Sequence, residues 1–306
     1  MSTDLIQEKI NELRKLIGES GIETPEELDV LESKIQASSR TEITWRQVEL
    51  ARHHDRPYSL DYINRIFDNF TELHGDRAYG DDAAIVGGLA FLDGQPVTVI
   101  ANQKGRTLKE NVLRNHGMAH PEGYRKALRL AKQAEKFQRP IITFVDTSGA
   151  YPGLGAEERG IGEAIARNLK EFSQLKTPII CIIIGEGGSG GALGICVGDK
   201  VYMLENAIYS VISPEGCASI LLRDATKAKD AAAMLRITST DLLNFNVING
   251  VIREAPGGAH IDPDASAALI KKTLVKDLAD LQSRTPAVLV RYRNQKILKI
   301  GHWNEG

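Results

Sequence analysis

Cysteine is scarce: three in 306 residues, Cys181, Cys196 and Cys217, with no CxxC spacing. Such a set makes neither a thiolate zinc site nor a disulfide framework, and it points to a reducing compartment. Apolar runs stay short, as in IICIII (179–184), against the roughly 20 residues that a membrane helix needs. The first ten residues, MSTDLIQEKI, are charged and read as helical, so no signal peptide is expected there. A cytoplasmic protein with no membrane span is the expectation. An excess of one charge is missing too. Thirty-eight basic residues against 40 acidic ones give a net charge of −2, which argues against a nucleic-acid binder. What remains is ordinary globular composition, 42% hydrophobic, long enough for one large domain or two small ones. Glycine, at 28 residues, is in slight surplus, and 12 of these lie between Gly149 and Gly198.

The first 75 residues read as helices. Ile6, Ile10, Leu13 and Ile17 fall on one helix face, TPEE (24–27) is a start signal, and further starts are read at Thr44 and Ser59. Ile63, Ile66, Phe67 and Phe70 form the stripe of the last of these helices. AIVGGLAFL (84–92) and PVTVIAN (96–102) flank DGQ as a β-hairpin with an Asp-Gly turn. Residues 103–122 are long and polar, a length that is uncommon unless functional or mobile. A helix comes after them, with Tyr124, Ala127, Leu128, Ala131 and Ala134 on one face.

Two strand–turn–helix units come next. PIITFVDT (140–147) leads into SGAYPG, and PIICIIIG (178–185) leads into EGGSGG; their opening prolines are 38 residues apart. Strands apolar on both faces are sandwiched by other layers, so the layout is α/β. KVYML (200–204) and IYSVI (208–212) read as a third strand pair, PEGCASILL (214–222) as a helix start, and residues 262–284 as a final helix. The expected boundaries are an N-terminal helical segment at 1–75, a core at 76–260 and a C-terminal helical segment at 261–306.

The loop GEGGSGG (185–191) is the densest chemical signal. Gly185, Gly187 and Gly190 satisfy GxGxxG, while Gly187, Ser189 and Gly191 satisfy GxSxG. A dinucleotide site would use Glu205 on the ribose, but the helix after the loop is short. A serine nucleophile would need His260 or His302, and neither is well placed by sequence. A third reading needs no side chain: small residues at a helix start expose backbone N–H groups, and at Gly190 and Gly191 these would stabilise an oxyanion. Tight helix-on-strand packing is the bland alternative. Asp146 closes its strand and either serves chemistry or bonds the turn. Net charge also hides a pattern: Lys104 to Arg139 carries +7 and the rest of the chain −9. Most of Arg125 to Lys136 reads as a solvated helix face, whereas Lys104 and Arg106 could meet an anionic coenzyme phosphate. His116 and His120 are separated by helix breakers, so no metal site is expected.

At RPYSLDYINRIF (56–67), GDRAYGDDAAIVGG (75–88), HPEGYRKALRLAKQAEKF (120–137), residues 140–169 and 184–221, and PGGAH (256–260), the chain resembles the α subunit of the carboxyltransferase of multi-subunit acetyl-CoA carboxylase. The resemblance implies the crotonase-like ββα spiral, with an N-terminal helical extension and a C-terminal helix. It also implies transfer of a carboxyl group from carboxybiotin to acetyl-CoA, giving malonyl-CoA for fatty-acid synthesis. Biotin would arrive on a separate carrier protein, charged by a biotin carboxylase, and a β subunit carrying the zinc ribbon would complete a heterotetramer. The resemblance maps an oxyanion site for the carboxybiotin ureido oxygen onto Gly190 and Gly191. Gly188, Ser189, Gly149, Ala150, Tyr151, Lys104 and Arg106 would bind substrate, with no metal in this chain. The family usually has proline where this chain has Ser148, and NFGMP where it reads NHGMA (115–119). Two other readings stand beside this one. The first is a stand-alone crotonase-like hydratase or isomerase using Glu157, Glu158 or Glu163. The second is a non-catalytic scaffold subunit.

Overall fold

The branched runs at 85–102, 141–147 and 179–188 form the middle of an eight-stranded sheet. The structure, a computed structural model, describes residues 9, 11, 12, 15–17 and 26–301, with side chains in the first long helix from residue 38 on. The expected stripe through Ile6, Ile10 and Leu13, the start at Thr24 and His302 lie outside the described residues. The strands are β1 (Asp68–Glu72), β2 (Ile85–Leu92), β3 (Gln95–Asn102), β4 (Ile141–Thr147), β5 (Ile179–Gly188), β6 (Lys200–Leu204), β7 (Ile208–Ser210) and β8 (Gly250–Ile252). Their order is β1-β2-β3-β4-β5-β6-β8, with β7 also on β5. The first three pair antiparallel, and from β3 onward all pairs are parallel.

The hairpin turn is held by Asp93 (φ 49°) and Gly94 (φ 80°), two left-handed residues whose twist matches that of the strands. Every residue of β4 is buried, as expected of a strand covered on both faces. The 38-residue spacing of the two units is the sheet register itself: Ile141 lies opposite Ile179, and Val145 opposite Ile183.

Several sequence expectations change. Thr44 starts no helix; it is buried inside the continuous helix Glu26–Ala51, because nothing between Leu28 and Ala51 breaks the chain. Phe70 is not on a helix face, since the helix Ser59–Ile66 ends at Phe67 and DNFTE forms the edge strand β1. β6 and β7 do not pair with each other; each lies beside a different half of β5. Arg125 to Lys136 is no simple solvated face. Within the helix Pro121–Lys136, Lys126 is fully buried on Asp81 (2.6 Å), and Arg125 reaches Asp76 (2.7 Å). The acidic GDRAYGDD segment thus neutralises part of the basic stretch. Burial alone would raise the Asp76 pKa, but the N–H groups of Ala78, Tyr79 and Gly80, together with Arg125, hold it at about 2.

The chain divides into two compact units, Met1–Arg46 with Pro214–Leu235, and Gln47–Ser213 with Arg236–Gly306. Among the described residues the first contains the helix Ala228–Leu235, whose Lys229 meets Glu42 at 3.7 Å. The second contains the whole sheet. Its last helix, Pro286–Leu298, is pinned by Arg293, a residue 1% exposed. That guanidinium binds both oxygens of Asp199 (3.0 and 2.8 Å) and the carbonyls of Phe172, Leu175 and Thr177 (2.8–3.0 Å). No helix among the described residues is long and apolar enough to cross a membrane.

Arg293→Ala strands the buried Asp199 carboxylate and is expected to cost about 3–5 kcal/mol in urea unfolding, with Lys a poor substitute for the five-donor fork. Asp76 contributes stability that is complete above its unfolded pKa, near 4, and disappears as pH falls toward about 2. Thermal melts of Asp76→Asn against pH should therefore begin to approach the parent below about pH 4 and converge with it only as pH falls to about 2.

Candidate active site

Beyond Ile183 the two central strands fall out of step. Val145 faces Ile183, but Thr147 faces Gly187, so β5 holds two extra residues around Ile184, Gly185 and Glu186. A bulge of this kind bends the strand and re-aims the residues beyond it. It is fixed from both sides. Arg56, fully buried, donates from Nε to the Ile184 carbonyl (2.7 Å) and is itself held by Glu254. Asp146 Oδ1 accepts the Glu186 N–H (3.0 Å). Gly185 is required here, since a Cβ would lie 2.5 Å from Asp146 Oδ1. At the bulge β5 also changes neighbours, from β6 at Ile180–Ile183 to β7 at Glu186–Gly188.

The bulge delivers the chain into the short helix Ser189–Leu193, entered through Ser189 at φ 49°. No side chain caps this helix, and the N–H groups of a first helical turn have no intrahelical acceptor. With only five residues it has little macrodipole, so any anion stabilisation comes from the local N–H groups. The four glycines play different parts. A Cβ on Gly188 would sit 2.1 Å from Ser148 O, and one on Gly191 would sit 2.3 Å from Gly149 C. These two press the turn onto the SGAY loop. A Cβ on Gly190 would meet nothing closer than 3.7 Å, and one on Gly149 nothing within 4 Å. Those two border open space. Thr147 clamps the loop, its Oγ1 donating to Gly149 O (2.6 Å) and accepting from Gly149 N–H (3.2 Å). Tyr151 donates its N–H to Ala119 O (3.1 Å), and its ring lies 4.1 Å from that of His120. Tyr124 donates its hydroxyl to Gly191 O at 3.1 Å.

Gly188, Ser189, Gly190, Gly191, Gly149 and Ala150 are thus brought together at the ends of β4 and β5, with Tyr151 next in the chain. Lys104 joins them through the ends of both strands: its Nζ binds Asp146 Oδ1 (2.7 Å) and Glu186 Oε2 (3.1 Å). Burial by itself would lower the Lys104 pKa, but the two carboxylates outweigh it and hold the ammonium charged above its usual range. Glu186 also takes Arg52 Nε at 2.8 Å; burial alone would raise its pKa, and the two cations bring it below the usual carboxylate value. Lys104 is therefore already engaged with two acids rather than waiting for a phosphate. Arg106 stands apart. It bonds Asp61 and the His54 carbonyl (2.7 Å), and stacks 3.9 Å over the Tyr58 ring. It is half exposed, so a ligand anion can compete for it.

The other patterns fare less well. Glu205, the ribose acid of the dinucleotide reading, accepts the Glu254 N–H instead. His260 stacks on His53 at 3.9 Å and has no hydrogen bond to Ser189 among the described residues. Glu157, Glu158 and Glu163 are exposed. His53, His54 and Asp55 cluster, but His53 Nδ1 accepts the Asp55 N–H and His54 Nε2 already meets the Asp55 carboxylate. An apolar cavity of about 560 Å³, lined by Leu169, Cys196, Val197 and Ile297, contains no residue of the glycine turn. What sequence reading missed is the network of Arg52, Lys104, Asp146 and Glu186, with Arg56 behind it. The available signal was Glu186, the one charged residue inside an otherwise glycine and serine run.

Residues 2–301 match the family described as acetyl co-enzyme A carboxylase carboxyltransferase-like. A Treponema denticola protein named acetyl-coenzyme A carboxylase carboxyl transferase subunit alpha is 68% identical over 296 residues, covering 97% of each chain. The protein of the same name from Halalkalibacterium halodurans is 51% identical, covering 99% of this chain and 97% of its own. Among solved structures, transcarboxylase 12S superposes with a TM-score of 0.60 at 22% identity, over 73% of this chain and 41% of that one. A Pseudomonas malonate decarboxylase hetero-tetramer gives 0.59 at 18% identity, over 70% of this chain and 86% of that one. These structural likenesses show the fold alone, the crotonase-like ββα spiral. The family match and the close relatives show that this chain belongs to the carboxyl transferase alpha-subunit family of acetyl-coenzyme A carboxylase.

Proposed function

We propose that this chain supplies one half of a carboxyltransferase active site, and that its catalyst is the pair of backbone N–H groups at Gly190 and Gly191. The reaction takes a carboxyl group from carboxybiotin to acetyl-CoA and yields malonyl-CoA. Biotin, held on a separate carrier protein and charged by a biotin carboxylase, supplies the carboxyl group when bound. A β subunit supplies the second oxyanion site, facing the acetyl thioester, and the pair assembles as a heterotetramer in the cytoplasm.

The observation that carries this reading is the division of labour among the glycines. Gly188 and Gly191 lie against the SGAY backbone, while Gly190 and Gly149 border open space. A flat, uncharged group can approach there with only the apolar Ile165 side chain at the edge, which fits the ureido ring of biotin. Negative charge that develops on the ureido oxygen as the carboxyl group leaves would be met by donors already fixed in place, and fixed donors need no reorganisation at the moment of reaction. Gly188, Ser189, Gly149, Ala150 and Tyr151 would shape that approach, and Arg106, from the rim, would meet a coenzyme phosphate. No metal is assigned to this chain, because its proposed chemistry is donation by N–H groups.

Two substitutions at one position separate the donor from the space around it. Gly190→Ala keeps the N–H and only narrows the open face, so malonyl-CoA formation by the reconstituted α–β pair should fall far less than it does in Gly190→Pro. Gly190→Pro removes the N–H and should lower kcat by roughly 100- to 1000-fold while the α–β complex still forms. Equal activity of the two would mean that the N–H is not a catalyst. Arg106→Ala should raise KM for acetyl-CoA severalfold and leave kcat alone, the pattern of a lost binding contact; an unchanged KM would remove Arg106 from the binding site.

A further inference from the structure

We propose that Asp146 is a positioning residue for the reaction, acting through the β5 bulge and never touching substrate. This inference rests on the reading that Gly190 and Gly191 donate to the developing oxyanion.

Asp146 Oδ1 holds two partners at once. It accepts the Glu186 N–H within the bulge (3.0 Å) and Lys104 Nζ (2.7 Å). Lys104 then returns to the same bulge by binding the Glu186 side chain (3.1 Å). One carboxylate oxygen and one ammonium thus tie the end of β4 to both the backbone and the side chain of Glu186, three residues ahead of Ser189. The same two groups reach the polar segment 103–122. Lys104 opens it, and Gly117, at φ 80°, packs so closely that a Cβ would lie 2.9 Å from Lys104 Cγ and 3.1 Å from Asp146 O. Asp146 is 2% exposed and lies beneath this segment, so it is placed to hold backbone rather than to meet a ligand.

The geometry gives the residue leverage. The extra residues of β5 leave backbone groups that the ladder with β4 does not take up. Arg56 takes the Ile184 carbonyl, and Asp146 takes the Glu186 N–H. Without the second bond the bulge keeps the Ile184 carbonyl bond and its pairing with β7 but loses its backbone tie to the end of β4, and the turn beyond can shift. A donor displaced by about 1 Å loses most of its effect on a transition state, although the fold persists.

The test uses the full chain reconstituted with its β partner, biotin carboxylase and carrier protein. Asp146→Ala removes both the acceptor and the charge; Asp146→Asn restores an acceptor oxygen alone. The expected result for Ala is a fall in kcat of about 100-fold, with KM for acetyl-CoA within about threefold of the parent. Asn should recover at least about tenfold of that loss. Hydrogen exchange in the Ala variant should quicken at Glu186 through Gly191 while the β4 interior stays protected. Parent-like kcat in the Ala variant, or a loss expressed mainly in KM, overturns the proposal. Should Asp146→Ala fail to assemble, Lys104→Met decides: a fall in kcat at constant KM supports positioning, and a parent-like kcat or a raised KM overturns it. Gly190→Pro run in parallel separates the two ideas. If it is inactive while Asp146→Ala is fully active, the oxyanion reading stands and the positioning proposal falls. If Gly190→Pro is active, the oxyanion reading fails and takes this proposal with it.

Discussion

Two hydrogen bonds, from Arg56 to the Ile184 carbonyl and from the Glu186 N–H to Asp146, hold the bulge that leads into the glycine turn. A parallel strand that stayed in register with β4 would carry its glycines straight on and present no donors at the strand end. The extra residues in β5 break that register, and the two backbone groups left unpaired by the ladder with β4 need partners, since an unpaired buried group costs about 1–3 kcal/mol. Arg56 and Asp146 are those partners. The surrounding charges derive from them. Arg56 requires Glu254, and Asp146 requires Lys104, which in turn draws in Glu186 and Arg52. The site is therefore a strand irregularity stabilised by ion pairs, with the glycines placed where it points.

That dependence explains why charge bookkeeping by segment misleads. The basic excess between Lys104 and Arg139 resembles a surface awaiting an anion, yet much of it is already paired with acids. Lys126 is buried on Asp81, Arg125 lies on Asp76, Lys104 on Asp146, and Lys132 pairs with Glu171 at 2.6 Å. Arg106, stacked on Tyr58 and half exposed, is the member best placed for a ligand. A near-zero net charge in this chain records pairing across the fold more than a lack of electrostatics.

Much of the fold was legible because local rules and global arrangement agree. The Asp-Gly turn and the apolar runs predict the hairpin and two buried strand–turn–helix units, and the structure pairs those two strands in the register of the 38-residue repeat. The glycine turn, too, was visible as the densest cluster of permissive residues. Other features were hidden for physical reasons. β1 is short and polar, and β8 is three residues long; neither has a period to read. The helix Pro286–Leu298 is held by buried Arg293, by Leu289 and by Lys296 on the Gly198 carbonyl rather than by a long apolar stripe. The partners of the bulge lie 40, 82 and 128 residues from it in sequence, so no spacing links Asp146, Lys104 or Arg56 to the turn they serve.

Transcarboxylase 12S and a Pseudomonas malonate decarboxylase show that the fold is shared by chains of very different sequence. What would make this one a catalyst is the direction of two N–H groups. The most direct measurement is a crystal structure of the assembled α–β complex with a biotin analogue in place. The predicted result is a ureido oxygen about 2.7–3.1 Å from the backbone nitrogens of Gly190 and Gly191, with the Asp146–Glu186 bond intact. An oxygen held by side chains elsewhere, with both nitrogens turned away, would contradict it.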